Sequence, residues 1–237
     1  MTANEMSRVF KQLYNTNAMM EISFDDKEVG RLLSLAQLEF IKTNVFATRN
    51  PIKEGIDTSS IREAALSNLK RYTEIVAFST ITDYPNSKEV LLPSDFLYNL
   101  HERIDVSYGT PPITYTDVNV IAQDEDTLSY DLENPFNKPD RHNVLRATKS
   151  QTVVNNVVYK RFILMFGTGI TPSKYKLRYV AMPSDIVVNI VTPASMVDCI
   201  LDASVHDEIV KIAVRMALGS SGSAKYQIAQ NEKQITL

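Results

Sequence analysis

A change of hydrophobic period constrains this chain more than any other feature. Up to about residue 72, apolar residues recur every three or four positions; from about Thr73 to about Val191 they alternate among β-branched and aromatic residues; near the C-terminus the helical spacing returns. Side chains three or four apart share a helix face, and alternate side chains share a strand face. Of the helical stretches, the first carries Met6, Phe10 and Leu13, and the second Val29, Leu32, Leu33, Ala36 and Phe40. The third carries Ile61, Ala64, Ala65 and Leu69, and the last Ile209, Ile212, Ala213, Met216 and Ala217. Each stripe must be buried against another element. The expected fold class is therefore α+β: a helical bundle formed by the N- and C-terminal segments, with an inserted antiparallel β-rich domain. The boundaries follow the period: 1–72 for the first part of the helical domain, 73–195 for the β-rich insertion, and 196–237 for the last helix and a C-terminal arm.

Helix starts are read from a hydroxyl residue followed three positions later by an acid. The pairs are Thr2 with Glu5, Ser23 with Asp26, Ser60 with Glu63, and Ser204 with Asp207. In such a capping box the hydroxyl accepts from a first-turn N–H, and the acid reaches back to the cap while complementing the helix dipole. In the middle region VVYKRFILMF sets Tyr159, Arg161, Ile163 and Met165 against Lys160, Phe162, Leu164 and Phe166. YKLRYVAM sets Tyr175, Leu177, Tyr179 and Ala181 against Lys174, Lys176 and Arg178. Further strands are expected in EIVAFSTI, FLYNLHERIDVSY, ITYTDVNVIA and NVLRATK, with breaks at YPNS, GTPP and NPFNKPD. After Gly219 the segment through Tyr226 and Ile228 is polar, and reads either as a frayed tail or as an arm that orders on a neighbouring subunit.

Chemistry is sought first at Cys199 and His206. The chain has a single cysteine, which excludes an internal disulfide framework and a cysteine-rich zinc module. With Ser204 as the cap, His206 falls on the first turn and is expected to face solvent, while Cys199 reads as a small buried hydrophobe. A nucleophilic pair would need a base in reach and an orienting group, and the sequence offers neither. Consecutive helix residues point about 100° apart, so His206, Asp207 and Glu208 do not face one ion together. His101 with Glu102 and Asp105, and His142 with Asp140, lack the second histidine or paired cysteines of a zinc site. FGTGITPSK departs from a phosphate-binding loop because Pro172 and Ser173 stand before Lys174 and the following residues are strand-like. The acidic run Asp124, Glu125, Asp126, Asp131 and Glu133 lacks the glycine and alternating ligands of a calcium loop. No catalytic residue, metal ligand or cofactor is expected.

The net charge of −3 argues against a protein built to grip phosphate backbones, and no run approaches the roughly 18 apolar residues of a membrane span. The first residues, mixed polar and apolar, do not read as a secretory signal. The row Lys174, Lys176 and Arg178 could contact DNA or an acidic partner, or form the charged face of an edge strand. Candidate interface residues are Lys174, Lys176, Arg178, His206, Glu208, Tyr226 and Ile228.

The order of segments carries a resemblance. VLLPSDFLYNLHERIDVSY, NPFNKPDRHNVLRATKSQ, YKLRYVAMPSDIVV and CILDASVHDEIVKIAVRMALGSSGSAKYQIAQNE resemble the neck or ring proteins of crAss-like tailed bacteriophages. They are similar in plan to the tail-tube and adaptor proteins of short-tailed phages. The motifs are structural: Leu-Pro-x-Asp-Phe-Leu at Leu92–Leu97, Tyr-x-Leu-x-Tyr at Tyr175–Tyr179 running to Pro183, and His-Asp-Glu-Ile-Val at His206–Val210. The resemblance implies a structural virion protein, not an enzyme. It implies a homo-oligomeric ring, about twelve copies by analogy with such adaptors, in the head-to-tail connector. That ring would contact the portal and adjacent ring or tail proteins, extend the channel, and let genomic DNA pass without sequence recognition. It would assemble in the bacterial host cytoplasm, with no membrane partner. The competing readings are a virion-associated hydrolase and a surface-binding tail module.

Overall fold

The computed structural model describes residues 1–17, 23–47, 64–82, 84, 86–124, 130, 132, 134, 137–154, 156–189 and 191–220. The chain forms two compact units, Met1–Leu69 with Pro183–Leu237, and Lys70–Met182.

In the first unit the described residues form three α-helices: α1 (Ala3–Asn17), α2 (Asp26–Ala47) and α3 (His206–Ser220). Helix α3 packs on both others. Helix α1 buries Met6, Phe10 and Tyr14 as its period requires, and Phe24 meets the Phe10 and Tyr14 rings edge-on at 5.6 and 4.8 Å. Where α2 meets the extended segment 186–188, Gly30 lets the backbones approach. An added Cβ there would stand 2.9 Å from the Ile186 carbonyl oxygen. One turn later the Ser34 hydroxyl donates to the Gly30 carbonyl and accepts the Ile186 N–H, both at 2.8 Å. The segment thus docks through a missing side chain and a short polar one, and Ile186 and Val188 are buried beside them.

The second unit is one eight-stranded sheet: β1 (Lys70–Ile75), β2 (Ser79–Thr80), β3 (Ser87–Leu91), β4 (Phe96–Tyr108), β5 (Ile113–Ala122), β6 (Asn143–Val154), β7 (Val157–Met165) and β8 (Ile170–Ala181). Their order in space is β1-β8-β4-β5-β6-β7-β3-β2. This overturns the expected fold class. The protein is mostly this sheet with three helices among the described residues, and not a helical bundle carrying an antiparallel insertion. The sheet is also mixed, because β5 and β6 run parallel, Asn119 facing Asn143 and Ala122 facing Arg146. A parallel pair needs a long crossover. The chain between Ala122 and Asn143, which contains the break NPFNKPD, supplies it.

One face carries the main core: Val90, Phe96, Ile104, Val106, Val118, Val144, Phe162, Leu164, Tyr175, Leu177 and Tyr179 among others. The other face of β6 and β7 buries Leu145, Ala147, Ile163 and Met165 under Ile81, Tyr84 and Leu132. Coverage of both faces explains why Phe162–Phe166 is an unbroken apolar run. In β8 Tyr175, Leu177, Tyr179 and Ala181 are buried, and a fully buried leucine such as Leu177 stabilises by about 1.5–3 kcal/mol.

The register between β4 and β5 slips at a bulge. Ile104 faces Val118 but Val106 faces Tyr115, so an extra residue lies on β5. Asp117 takes up the slack with φ 55°, a left-handed conformation that aspartate tolerates better than most residues. Its displaced N–H donates to Asp105 Oδ1 at 2.9 Å. Lys176 on β8 donates to the same oxygen at 2.9 Å and to Asp117 Oδ1 at 2.9 Å. Burial alone would raise the Asp105 carboxyl, but the Asp117 N–H and the Lys176 ammonium outweigh it and hold it below its ordinary value. The hydrogen bonds of Asp105 and Asp117 raise Lys176 in turn.

Two outcomes follow from these contacts. Gly30→Ala should lower the melting temperature, although alanine is the better helix former by about 1 kcal/mol. Overpacking against fixed backbone costs about 1–3 kcal/mol, and thermal denaturation followed by circular dichroism gives the sign. For Asp105 the depressed folded-state pKa means its contribution is present above the unfolded carboxylate range, near about 4, and is lost as pH falls through the folded value. Asp105→Asn should therefore melt lower than wild type at pH 7, with the gap closing below about pH 4. Equal gaps at both pH values would show that the charge at this bulge does not contribute to stability.

Candidate functional site

The most concentrated polar chemistry in the sheet is at Glu102. Its carboxylate accepts from Arg146 Nε at 3.0 Å, from Asn99 Nδ2 at 2.9 Å and from the Tyr175 hydroxyl. The Arg146 guanidinium lies 4.1 Å over the Phe162 ring, and both members of the ion pair are nearly enclosed. Burial first, and the neighbouring Glu102 charge second, push the Tyr175 phenol far above its ordinary range. The carboxylate that could act as a base is already engaged by three donors from inside the protein. Arg146 reaches Glu102 from β6, so the cluster ties β4, β6 and β8 together. Nearby, burial and the Asp95 carboxylate raise Tyr179 to about 12, its hydroxyl donating to Asp95 at 3.0 Å.

The row Lys174, Lys176 and Arg178 stands on β8, which lies between β1 and β4 and is not an edge strand. Acids answer two of the three charges. Lys174 pairs with Glu74 at 2.8 Å, and Lys176 bridges Asp105 and Asp117. Lys174 and the Tyr72 hydroxyl also hold the Glu74 carboxyl below its ordinary value. Arg178 is exposed and faces Tyr72 in register. A row that reads as basic in one strand is therefore a mixed-charge surface in the sheet.

The helix starts differ from their sequence reading at two places. At α1 the Thr2 N–H donates to Glu5 Oε2 at 2.8 Å, and the Glu5 N–H to Thr2 Oγ1 at 3.3 Å. At α2 the reciprocal pair is Asp25 with Glu28, at 3.2 and 2.7 Å, in place of Ser23 with Asp26. Ahead of α3, Asp202 and not Ser204 is the cap. Its Oδ1 accepts the Ser204 N–H at 2.9 Å and the Ser204 hydroxyl at 2.7 Å, and these donors lower its pKa. Asp207 lies in the first turn of α3. In both cases a carboxylate takes the cap from a hydroxyl, as a charged acceptor makes the stronger hydrogen bond. Ser60 and Glu63 lie outside the described residues.

The shifted cap changes the place of His206. It is buried, not on an exposed turn. Its Nε2 lies 3.0 Å from the Leu201 carbonyl oxygen, and its Nδ1 lies 3.0 Å from the Met1 amine. With Nε2 donating, Nδ1 is left to accept. Cys199 is buried, and desolvation raises its thiol above its ordinary value despite an N–H from Leu201. A raised thiol and an imidazole engaged at both nitrogens do not make a nucleophile–base pair. Glu208 is exposed, while Tyr226 and Ile228 lie outside the described residues. His101 is exposed, and its sequence neighbours Glu102 and Asp105 are held by Arg146 and Lys176. Asp140 is turned toward the His142 and Asn143 N–H groups, both at 2.8 Å. The described residues hold no group of three or more His, Cys, Asp or Glu able to share an ion, and no described helix is long and apolar enough to cross a membrane.

The surfaces that the sequence reading missed are apolar. Val153, Val154, Val157 and Val158 stand exposed at the end of the β6–β7 hairpin, and Tyr108 and Ile113 at the end of the β4–β5 hairpin. A signal for the first was present: VVNNVV sets a valine pair on each side of Asn-Asn, and Asn156 has a positive φ of 62°. This chain, then, presents mixed charge on the strands described, apolar hairpin ends, and no assembled catalytic group among its candidate residues. No curated protein matches it. It does match the phage tail ring protein 3/4 family over residues 1–231, a span that covers both compact units. The chain belongs to that family, the structural ring proteins of the neck and tail of crAss-like phages.

Proposed function

We propose that the chain forms a ring of about twelve copies in the head-to-tail connector, where it extends the portal channel, joins portal to tail and lets the genome pass. The family match along residues 1–231 carries this reading. The charge pattern of β8 supports it. A channel wall that gripped phosphates would slow a moving genome, because each neutralised phosphate releases counterions and adds to affinity. Here Glu74, Asp105 and Asp117 neutralise the two lysines nearest to forming a grip. The C-terminal segment through Tyr226 and Ile228 is assigned as an arm that laces neighbouring copies, with Glu208 exposed at the start of α3. The ring is a structural part and performs no reaction.

Two measurements test this. Cryo-EM of the intact virion should place the chain between portal and tail with about twelvefold symmetry; density that assigns it elsewhere overturns the connector role. In solution the full chain should bind duplex DNA weakly at physiological salt. Exchanging Glu74, Asp105 and Asp117 for their amides removes three acids beside Lys174 and Lys176, and should raise affinity with a steeper salt dependence. Unchanged weak binding in that variant would show that the acids do not govern DNA contact.

A further inference from the structure

The β6–β7 hairpin outruns its sheet. Strand β5 leaves β6 after Arg146, and β3 leaves β7 at Arg161 apart from one bond, from the Leu92 N–H to the Lys160 carbonyl. The last three rungs, Thr152 with Tyr159, Val153 with Val158 and Val154 with Val157, therefore form a two-stranded ribbon with no third strand among the described residues. Residues directly opposite in a ladder point to the same side, and successive rungs point to opposite sides. One face of the ribbon therefore shows Val153 and Val158, 65% and 51% exposed, and the other shows Val154 and Val157, each 39% exposed. A ribbon lying on a surface needs one apolar face. Two apolar faces suit insertion between surfaces. Strand edges without a neighbour are commonly guarded by charge, yet Ser150 to Tyr159 contains none in a chain that is 22% charged.

The opposite end of the same sheet has matching chemistry. Tyr108 pairs with Ile113 on β5 and with Ile170 on β8, and its ring rests on Gly169, 3.3 Å from where a Cβ would stand. Tyr108 and Ile113 are 43% and 59% exposed. The runs Val106–Thr116 and Phe162–Ser173, which meet there, are also uncharged. Strand directions put this end and the ribbon at opposite poles: β4 runs toward Tyr108, antiparallel β5 runs away from it, and β6, parallel to β5, continues away to Val154. One copy cannot bring its own two ends together. A head-to-tail contact between identical copies uses both at once, and repeats, as a closed ring requires.

We propose that the β6–β7 ribbon is a plug by which one copy of this chain engages the next. Residues 150–158 of one copy insert against the Tyr108–Ile113 end of its neighbour's sheet. The proposal needs ring membership and does not depend on the ring's position at the portal.

The test uses the phage and the full chain. In the virion map, residues 150–158 of each copy should lie against Tyr108 and Ile113 of the adjacent copy. A ribbon in solvent, or seated on a different protein or on another surface of the adjacent copy, overturns the proposal even if the ring occupies the connector. Seated ribbons in a ring elsewhere in the tail would support it while overturning the connector role. In parallel, the Val154→Glu/Val157→Glu chain supplied in trans to a phage lacking its own copy should be incorporated into particles at least tenfold less than wild type. Val191→Glu, at an exposed site in the other unit, is the incorporation control. An isosteric Val154→Thr/Val157→Thr chain, with an unchanged melting curve, should show the same direction of loss. Wild-type incorporation of the folded threonine chain would overturn the plug.

Discussion

The Asp105–Asp117–Lys176 cluster is the constraint on which the sheet's geometry depends. An extra residue in β5 would leave a backbone N–H without a ladder partner. Asp105 supplies the missing acceptor, and Lys176 compensates the charge this brings in. Because β4 lies between β8 and β5, one residue on each strand enters the arrangement, and the slip in register is held from three sides. Bulges increase local twist. This one falls between the charged body of β4 and β5 and their uncharged hairpin end at Tyr108, so it also marks where the chemistry of these two strands changes.

Much of the second unit was readable because its central strands follow the rules that periodicity uses. The alternation of Tyr175, Leu177, Tyr179 and Ala181 is visible because β8 has one buried face along most of its length. Phe162–Phe166 is less readable, because a strand covered on both sides loses its alternation. Strand β3 was not anticipated. Its five residues, Ser87–Leu91, mix lysine and glutamate with apolar side chains, and it is held by register with β7 more than by its own composition. The parallel pairing of β5 with β6 is a decision about connectivity, to which local pattern is blind.

The helix starts and His206 show a different limit. Asp25-x-x-Glu28 and Ser23-x-x-Asp26 both satisfy the capping pattern, and the choice between them rests on acceptor strength. Before α3 the substitution of Asp202 for Ser204 puts a 3₁₀ turn, Ala203–Val205, ahead of the helix. That turn puts His206 inward against Leu201. A shift of two residues in the cap was enough to exchange an expected surface histidine for a buried one. The apolar hairpin ends were not legible, because exposure is a property of what fails to cover a residue.

Charge distribution connects these observations. In β8 Lys174 and Lys176 are matched to acids on β1, β4 and β5, so the body of the sheet carries balanced charge. At the hairpin ends the strands themselves carry no charge, and their exposed apolar side chains are valine, tyrosine and isoleucine. Valine is stiff at χ1, so its loss of rotamer freedom on burial is small. The ribbon's backbone is held by cross-strand pairing down to Val154 with Val157. A short, pre-formed, uncharged element therefore loses little conformational entropy when covered, and modest area can yield net affinity. Around a ring the same small gain repeats at every junction, and closure makes each junction intramolecular with respect to the rest. Weak individual contacts suffice under those conditions.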